Sequence, residues 1–263
     1  MKASLKPGQV LSSTTVRIEA NSKSITKAGT GFFYSIGDKD KSEYVSVIIT
    51  NYHVLEGAEN IYLVFTLSDK LGNSTGNFTK YKVNDIQTAI VRHPDPAVDL
   101  CAISLYPIVE DMRTKYSQEI YTHYITKSII PSSLVLQQMD SIEEIIMIGY
   151  PNGLWDEQNN LPICRKGITA TSPQIDYNGK QEFLIDAACF PGSSGSPVFY
   201  SMKADGNMIG EIILLGILSK GPKMTFKNLS VPINLGLVIK ASRLIELEAE
   251  IIKMVEFDAQ KFT

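Results

Sequence analysis

The sequence predicts an all-β protein made of two β units followed by one C-terminal α-helix. Three observations lead there: apolar and polar residues alternate with a period of two, Gly, Pro and Asn punctuate the runs, and no long 3.6-period stretch occurs before the C-terminus. The first unit has six strand-like segments, at residues 14–19, 29–36, 45–51, 61–67, 86–92 and 100–105. Residues 45–51 are a β-branched run that reads as buried, and the charged loop 37–43 before it reads as a hairpin connection. Residues 106–140 carry few strand signals and read as a long crossover. The second unit takes 144–149, 164–171, 182–188, 196–201, 209–219 and 229–238. From Val238 to about Phe257, apolar residues recur among Lys and Glu at helical spacing, which suits an amphipathic helix packed on the second unit; a partner interface is the other reading of that face.

With 263 residues, 44% hydrophobic content and mean hydropathy near zero, the chain can bury a full core. A net charge of −3 with both signs interspersed gives no reason to expect nucleic acid or an anionic membrane as partner. No run reaches the roughly 18 apolar residues of a membrane helix, and residues 1–8 lack the apolar centre of a secretory signal, so the expected location is cytoplasmic. The three cysteines, Cys101, Cys164 and Cys189, cannot all pair and read as reduced thiols, with Cys189 near enough to the candidate site to raise a redox role. The sequons at Asn73, Asn77 and Asn228 matter only in a secretory compartment. Neither a metal-ligand cluster nor a phosphate-binding Gly loop is found, so no metal or cofactor is expected.

The segment Phe190-Pro191-Gly192-Ser193-Ser194-Gly195-Ser196-Pro197 lies between two apolar runs. A glycine two residues before the central serine can take φ > 0 and turn its N–H toward the serine's own N–H. Gly192 and Ser194 would then form an oxyanion hole, with Ser194 as nucleophile. A serine hydroxyl needs a base, commonly histidine, and the base needs an orienting acid. Of His53, His93 and His123, His53 stands at the end of the buried run Val47 to Thr50, held by rigid backbone. His93 falls in a loop beside Pro94, and His123 in the polar connecting region. Asp99 precedes the apolar strand Leu100 to Leu105, whereas Asp95 sits between two prolines and reads as exposed.

Several further motifs fall in order. Gly29-Thr30-Gly31-Phe32 resembles a G-[ST]-G-F strand, Thr50-Asn51-Tyr52-His53-Val54 a T-x-x-H-V, and Asp99-Leu100-Cys101-Ala102 a D-L-A. Gly149-Tyr150-Pro151, Gly167-Ile168 and Asp186-Ala187-Ala188 through Pro197 complete the set. Over roughly residues 10–240 the chain resembles trypsin-like serine peptidases, nearest to the bacterial HtrA-like and glutamyl-endopeptidase-like branches, and the order His53, Asp99, Ser194 is that of their chymotrypsin-like triad. The resemblance implies two antiparallel six-stranded β-barrels, about 10–106 and 141–238, joined by a crossover over about 107–140, with a peptidase domain over 1–240 and a helical tail over 239–263. The active site would lie in the cleft between the barrels.

Gly216-Ile217-Leu218-Ser219-Lys220-Gly221 resembles the wall that pairs with substrate as an added strand, with Ser219 and Gly221 as pairing positions. Ala188 stands at the pocket floor where trypsins carry an aspartate, and Leu218 where glutamyl endopeptidases carry a histidine, so a small or medium apolar residue is expected before the scissile bond. Lys220 would draw acidic groups to a neighbouring subsite. Ser193 replaces the aspartate that receives a cut N-terminus in trypsin-type zymogens, which points to activation by loop ordering on substrate or partner binding. The expected partners are a protein or peptide substrate and a regulatory protein. A catalytically silent peptide-binding relative and an ester hydrolase are the rival functions.

Overall fold

The computed structural model describes residues 5–23, 25–38, 43–203, 209–226 and 229–260. Its strands are β1 Thr15–Asn21, β2 Thr26–Asp38, β3 Glu43–Thr50, β4 Asn60–Ser68, β5 Ser74–Val83, β6 Ile90–Arg92, β7 Cys101–Ser104, β8 Glu119–Ile120 and β9 Ile125–Thr126 in the first half. The second half holds β10 Glu144–Gly149, β11 Ile163–Thr169, β12 Glu182–Asp186, β13 Pro197–Lys203, β14 Ile209–Lys220, β15 Lys223–Phe226, β16 Leu229–Pro232 and β17 Leu235–Lys240. The β-branched run of β3 pairs between β2 and β7, which puts Ile48 and Ile49 at the centre of its sheet, essentially without solvent exposure.

The second half closes as predicted, into a six-stranded barrel in the order β10-β11-β12-β17-β14-β13. The first half is a nine-stranded sheet whose main path runs β5-β4-β1-β2-β3-β7-β6, with no ladder joining β5 to β6 among the described residues. This half is therefore not fully closed and holds nine strands where six were expected, while the two-unit all-β architecture stands. The strands that the sequence did not display are β5, β8 and β9; β5 lies on the sheet edge with residues 74–78 all exposed, and only its second half alternates, with Tyr81 and Val83 packed against the core.

Two further segments depart from expectation. The segment 86–92 divides, because the Asp85 side chain accepts a bond from the Thr88 amide and caps a short helix Ile86–Ala89 before β6 begins. Segment 229–238 divides at Asn234, whose φ of +59° interrupts the strand between β16 and β17. The crossover contains helices Tyr106–Tyr116 and Ser133–Gln138. The tip of the 37–43 hairpin lies outside the described residues, but β2 and β3 pair across it with Gly37 opposite Tyr44.

The terminal helix, Arg243–Gln260, begins later than predicted because Ile239 and Lys240 still belong to β17. It does not pack on the second barrel alone. Leu244, Leu247 and Ile251 enter one cluster with Phe32, Tyr34, Val47 and Ile49 of the first sheet and Ile217 and Ile239 of the second barrel. The Tyr34 hydroxyl donates to the buried Glu248 carboxylate, and burial followed by that partner raises the Tyr34 pKa well above its ordinary value. The helix thus clamps both halves and fixes the cleft between them. No helix among the described residues is long and apolar enough to cross a membrane.

Candidate active site

The loop Phe190–Ser196 links β12 to β13. Gly192 and Gly195 adopt φ of +88° and +87°, the backbone that glycine permits at low cost. The Pro191 carbonyl accepts from the Asn152 amide, and the Ser193 carbonyl accepts from the Ser196 amide at 3.0 Å. In a planar trans peptide the N–H points away from the carbonyl, so the Gly192 and Ser194 amides are directed to the other side of the loop. Neither donates within the described residues, which leaves two donors for an outside acceptor.

Thr30 anchors this loop to the first sheet. Its hydroxyl donates to the Gly192 carbonyl at 2.9 Å and accepts from the Tyr150 amide at 3.0 Å. Its own amide donates to the Ser194 carbonyl at 2.9 Å, and its carbonyl accepts from the Thr50 hydroxyl at 2.7 Å. A side chain at Gly195 would collide with the Thr30 carbonyl, so that glycine answers to close approach as well as to φ. The G-T-G-F motif displayed Thr30, yet nothing in the sequence assigned it this bridging position.

His53 sits in the turn of helix that follows β3. Asp99 holds it at two points: Oδ2 lies 2.5 Å from Nδ1, and Oδ1 accepts the His53 amide at 2.9 Å. The Asn51 side-chain amide donates to the Asp99 carbonyl at 2.8 Å and fixes the acid in turn. Burial alone would raise the Asp99 pKa, but the bonds from the His53 ring and amide and from the Ser219 hydroxyl together hold it below its ordinary value. With Nδ1 engaged, Nε2 is the ring nitrogen open to the cleft.

His53, Gly192 and Ser194 line one surface cleft with Lys27 and Asn152. The Ser194 hydroxyl donates to the Ser219 carbonyl at 2.9 Å and makes no hydrogen bond to His53. Ser219 itself lies at a bulge in the β14–β17 ladder, between Leu218 and Lys220. The bulge takes Ser219 out of register, so its carbonyl meets Ser194 while its hydroxyl donates to Asp99 Oδ2 at 3.1 Å. The sequence placed Ser219 on the substrate wall; its bond to the acid carried no signal in the residue pattern.

Around the expected pocket, Ala188 is half-buried and its carbonyl accepts from the Arg165 guanidinium, which lies 5.0 Å from the Phe190 ring centroid. A methyl on Gly221 would stand 3.0 Å from the Cys189 carbonyl, and one on Gly236 2.5 Å from the Cys189 sulfur. Burial pushes the Cys189 thiol up to about 11, so it remains a thiol at neutral pH and the redox role raised from sequence finds no support. Lys220 is exposed beside the wall.

The other histidines take no part. His93 is buried, accepting from the Asp95 amide at 3.0 Å and lying 3.2 Å from the Arg243 carbonyl, while His123 meets the Ser13 hydroxyl at 2.6 Å. Asp95 pairs with Arg243 at 2.9 Å, away from His53. Among the described residues no group of His, Cys, Asp and Glu could hold a metal.

Residues 29–210, about two thirds of the chain, match the family model described as a trypsin-like peptidase domain. The chain belongs to that family. No curated protein matches this trypsin-like sequence at a significant level. Among solved structures, the HtrA-type protease AlgW with a tripeptide is 16% identical with a TM-score of 0.55 over 93% of this chain and 62% of that one. The serine endoprotease from Yersinia pestis gives 17% and 0.52 over 96% and 68%, and the thermostable serine protease AL20 from an extremophilic microorganism 14% and 0.52 over 91% and 98%. The trypsin-like chain thus spans about three fifths of the AlgW structure, and at these identities the likeness is one of fold.

Proposed function

We propose that this protein is a serine endopeptidase in which Ser194 attacks the peptide carbonyl, His53 accepts and returns the proton, Asp99 orients His53, and the Gly192 and Ser194 amides hold the oxyanion. The observation that carries this reading is the double hold of Asp99 on His53 beside a serine whose loop presents two unengaged amides to the same cleft. Rotation about the Ser194 side-chain bond exchanges the Ser219 carbonyl for His53 Nε2. Catalytic hydrogen bonds that are open in the free enzyme commonly form when substrate binds. The Ser194 proton then passes to Nε2 as Oγ bonds to the carbonyl carbon, and the developing negative oxygen meets the two amides. Nε2 returns the proton to the leaving amine, the C–N bond breaks, and water repeats the sequence on the acyl-enzyme.

The close approach of Gly221 and Gly236 to Cys189, next to Ala188 in the chain, supports a small or medium apolar residue before the cut. Ser219, Lys220 and Gly221 form the wall along which the substrate strand pairs, within a peptidase domain over 1–240 followed by the 239–263 segment, whose helix Arg243–Gln260 is the clamp. The Ser193 hydroxyl is buried without a partner among the described residues. A neutral hydroxyl requires no ammonium to compensate it, which supports activation without a cut N-terminus, through loop ordering by substrate or a regulatory partner. That suits a regulated intracellular effector protease.

The Ser194–Ser219 bond favours a second reading, a silent peptide-binding relative whose serine stays turned away from its base. Incubation with a peptide library, with products sequenced, separates the two. The wild type releases products cut after Ala, Val or similar residues and Ser194→Ala releases none; no cleavage by either supports the silent reading, and cuts after Lys, Arg or Glu overturn the pocket assignment.

A further inference from the structure

We infer that the substrate is an acidic peptide segment, carrying carboxylate side chains on both sides of the cut, with Lys27 selecting on the leaving-group side. This deepens the peptidase reading and rests on it. Ser219 bonds Ser194 from one side, so a substrate strand along Ser219–Gly221 delivers its acyl part from there. Its leaving part must then run the other way, past Gly192 into the cleft lined by Lys27 and Asn152. Lys27 faces that path. In the β1–β2 register Lys27 lies opposite Ala20 and Gly29 opposite Ile18, so residues 27 and 29 share a face, and a side chain at Gly29 would point straight at Val54, the neighbour of His53.

The acyl side repeats the charge. Lys220 is exposed on the wall, and Lys223 follows it at the start of β15, also exposed. Arg165 lies behind the pocket, bonded to the Ala188 carbonyl. None of these four cations has a carboxylate partner among the described residues. Lys80, Arg113, Lys166 and Lys240 each pair with an acid within 3.0 Å; Lys6, Lys70, Lys82 and Lys180 also lack such a partner among the described residues, so what sets the four apart is their place along the cleft and its wall. On a chain of net charge −3, uncompensated cations on both flanks of one cleft form a local positive field on an acidic body. Such a field draws acidic strands in and repels basic ones. Wall pairing through backbone amides favours a peptide as the bearer of that negative charge.

The test uses peptides capped at both ends, sharing an Ala at the cut and differing only in flanking residues: neutral, Asp before, Asp after, Asp on both sides, or Lys on both sides. Exposed pairs of this kind change kcat/KM by about two- to fivefold each. The doubly acidic peptide is expected to lead and the doubly basic one to trail, with the spread collapsing at 1 M salt, where the screening length falls to about 3 Å. Lys27→Glu is expected to reverse the order of Asp and Lys after the cut without reversing it before the cut. That readout is a ratio within one protein and does not depend on the fraction folded. Equal kcat/KM for acidic and basic peptides, on enzyme that cleaves the neutral peptide and is labelled by a fluorophosphonate, overturns this inference and leaves the peptidase reading standing. No cleavage and no labelling overturns both.

Discussion

Replacing Thr30 by Val keeps the shape of a fully buried side chain and removes its hydroxyl. Two buried groups then lose their partner, the Tyr150 amide and the Gly192 carbonyl. Leaving a buried polar group unsatisfied costs about 1–3 kcal/mol, so the pair amounts to about 2–6 kcal/mol. Against a typical domain stability of about 5–15 kcal/mol that is a large fraction. The same change frees the peptide after Gly192, which the Thr30 hydroxyl holds in place and which joins the two peptides that carry the Gly192 and Ser194 amides. Losing one oxyanion donor outright costs about 10²–10³ in kcat, and a loosened donor is expected to cost about tenfold or more within that limit. Urea unfolding reads the first effect as a lower midpoint at unchanged slope, and peptide turnover under fully folded conditions reads the second. Thr30→Ser retains the hydroxyl and should recover most of both. A Thr30→Val protein within 0.5 kcal/mol of wild type and with unchanged kcat would refute the view that this hydroxyl ties the nucleophile loop to the first sheet.

Asp99→Asn should lower kcat by about 10⁴ while leaving the fold intact, because the amide no longer fixes the tautomer that frees Nε2; steady-state kinetics with circular dichroism checks it. The Asp99 pKa is lowered in the folded state, so its contribution to stability is full above the unfolded value near 3.9 and is lost as pH falls through the folded one. Acid unfolding of Asp99→Asn should therefore show a weaker dependence below about pH 4 than wild type. Tyr34→Phe leaves the buried Glu248 without its hydroxyl donor and should destabilise by about 1–3 kcal/mol, read by thermal melting. Under native conditions a maleimide should modify the exposed Cys164 first, with Cys101 and Cys189 reacting only on unfolding, since both are buried and burial raises both thiol pKa values; peptide mapping over a time course follows the order.

The second barrel was legible because its strands read either as alternating runs, as in β12, or as continuous apolar runs, as in β14 and β17, and because Gly and Pro mark its turns. The backbone of the Phe190–Ser196 loop was legible because only glycine suits φ near +90° at positions 192 and 195, and that need is written as residue type. Strand β5 was hidden because residues 74–78 are exposed on the sheet edge, which leaves only Tyr81 and Val83 facing the core, too short an alternation to stand out. The clamp by the terminal helix was hidden for another reason: amphipathic spacing says that Leu244, Leu247 and Ile251 bury, not which sheets receive them. In the site, the motifs placed His53, Asp99 and Ser194 in one cleft, while the Ser219–Asp99 bond depends on a bulge and Thr30 bridging depends on contacts more than 100 residues away, at Tyr150 and Gly192. Neither leaves a local trace.

The most direct test of the central claim is labelling by a fluorophosphonate, with the modified residue located by peptide mass. Stoichiometric modification of Ser194 in native wild type, lost in His53→Ala and after heat denaturation, is the predicted result. Modification of another serine, or labelling of Ser194 that persists without His53, would contradict the assignment of base and nucleophile.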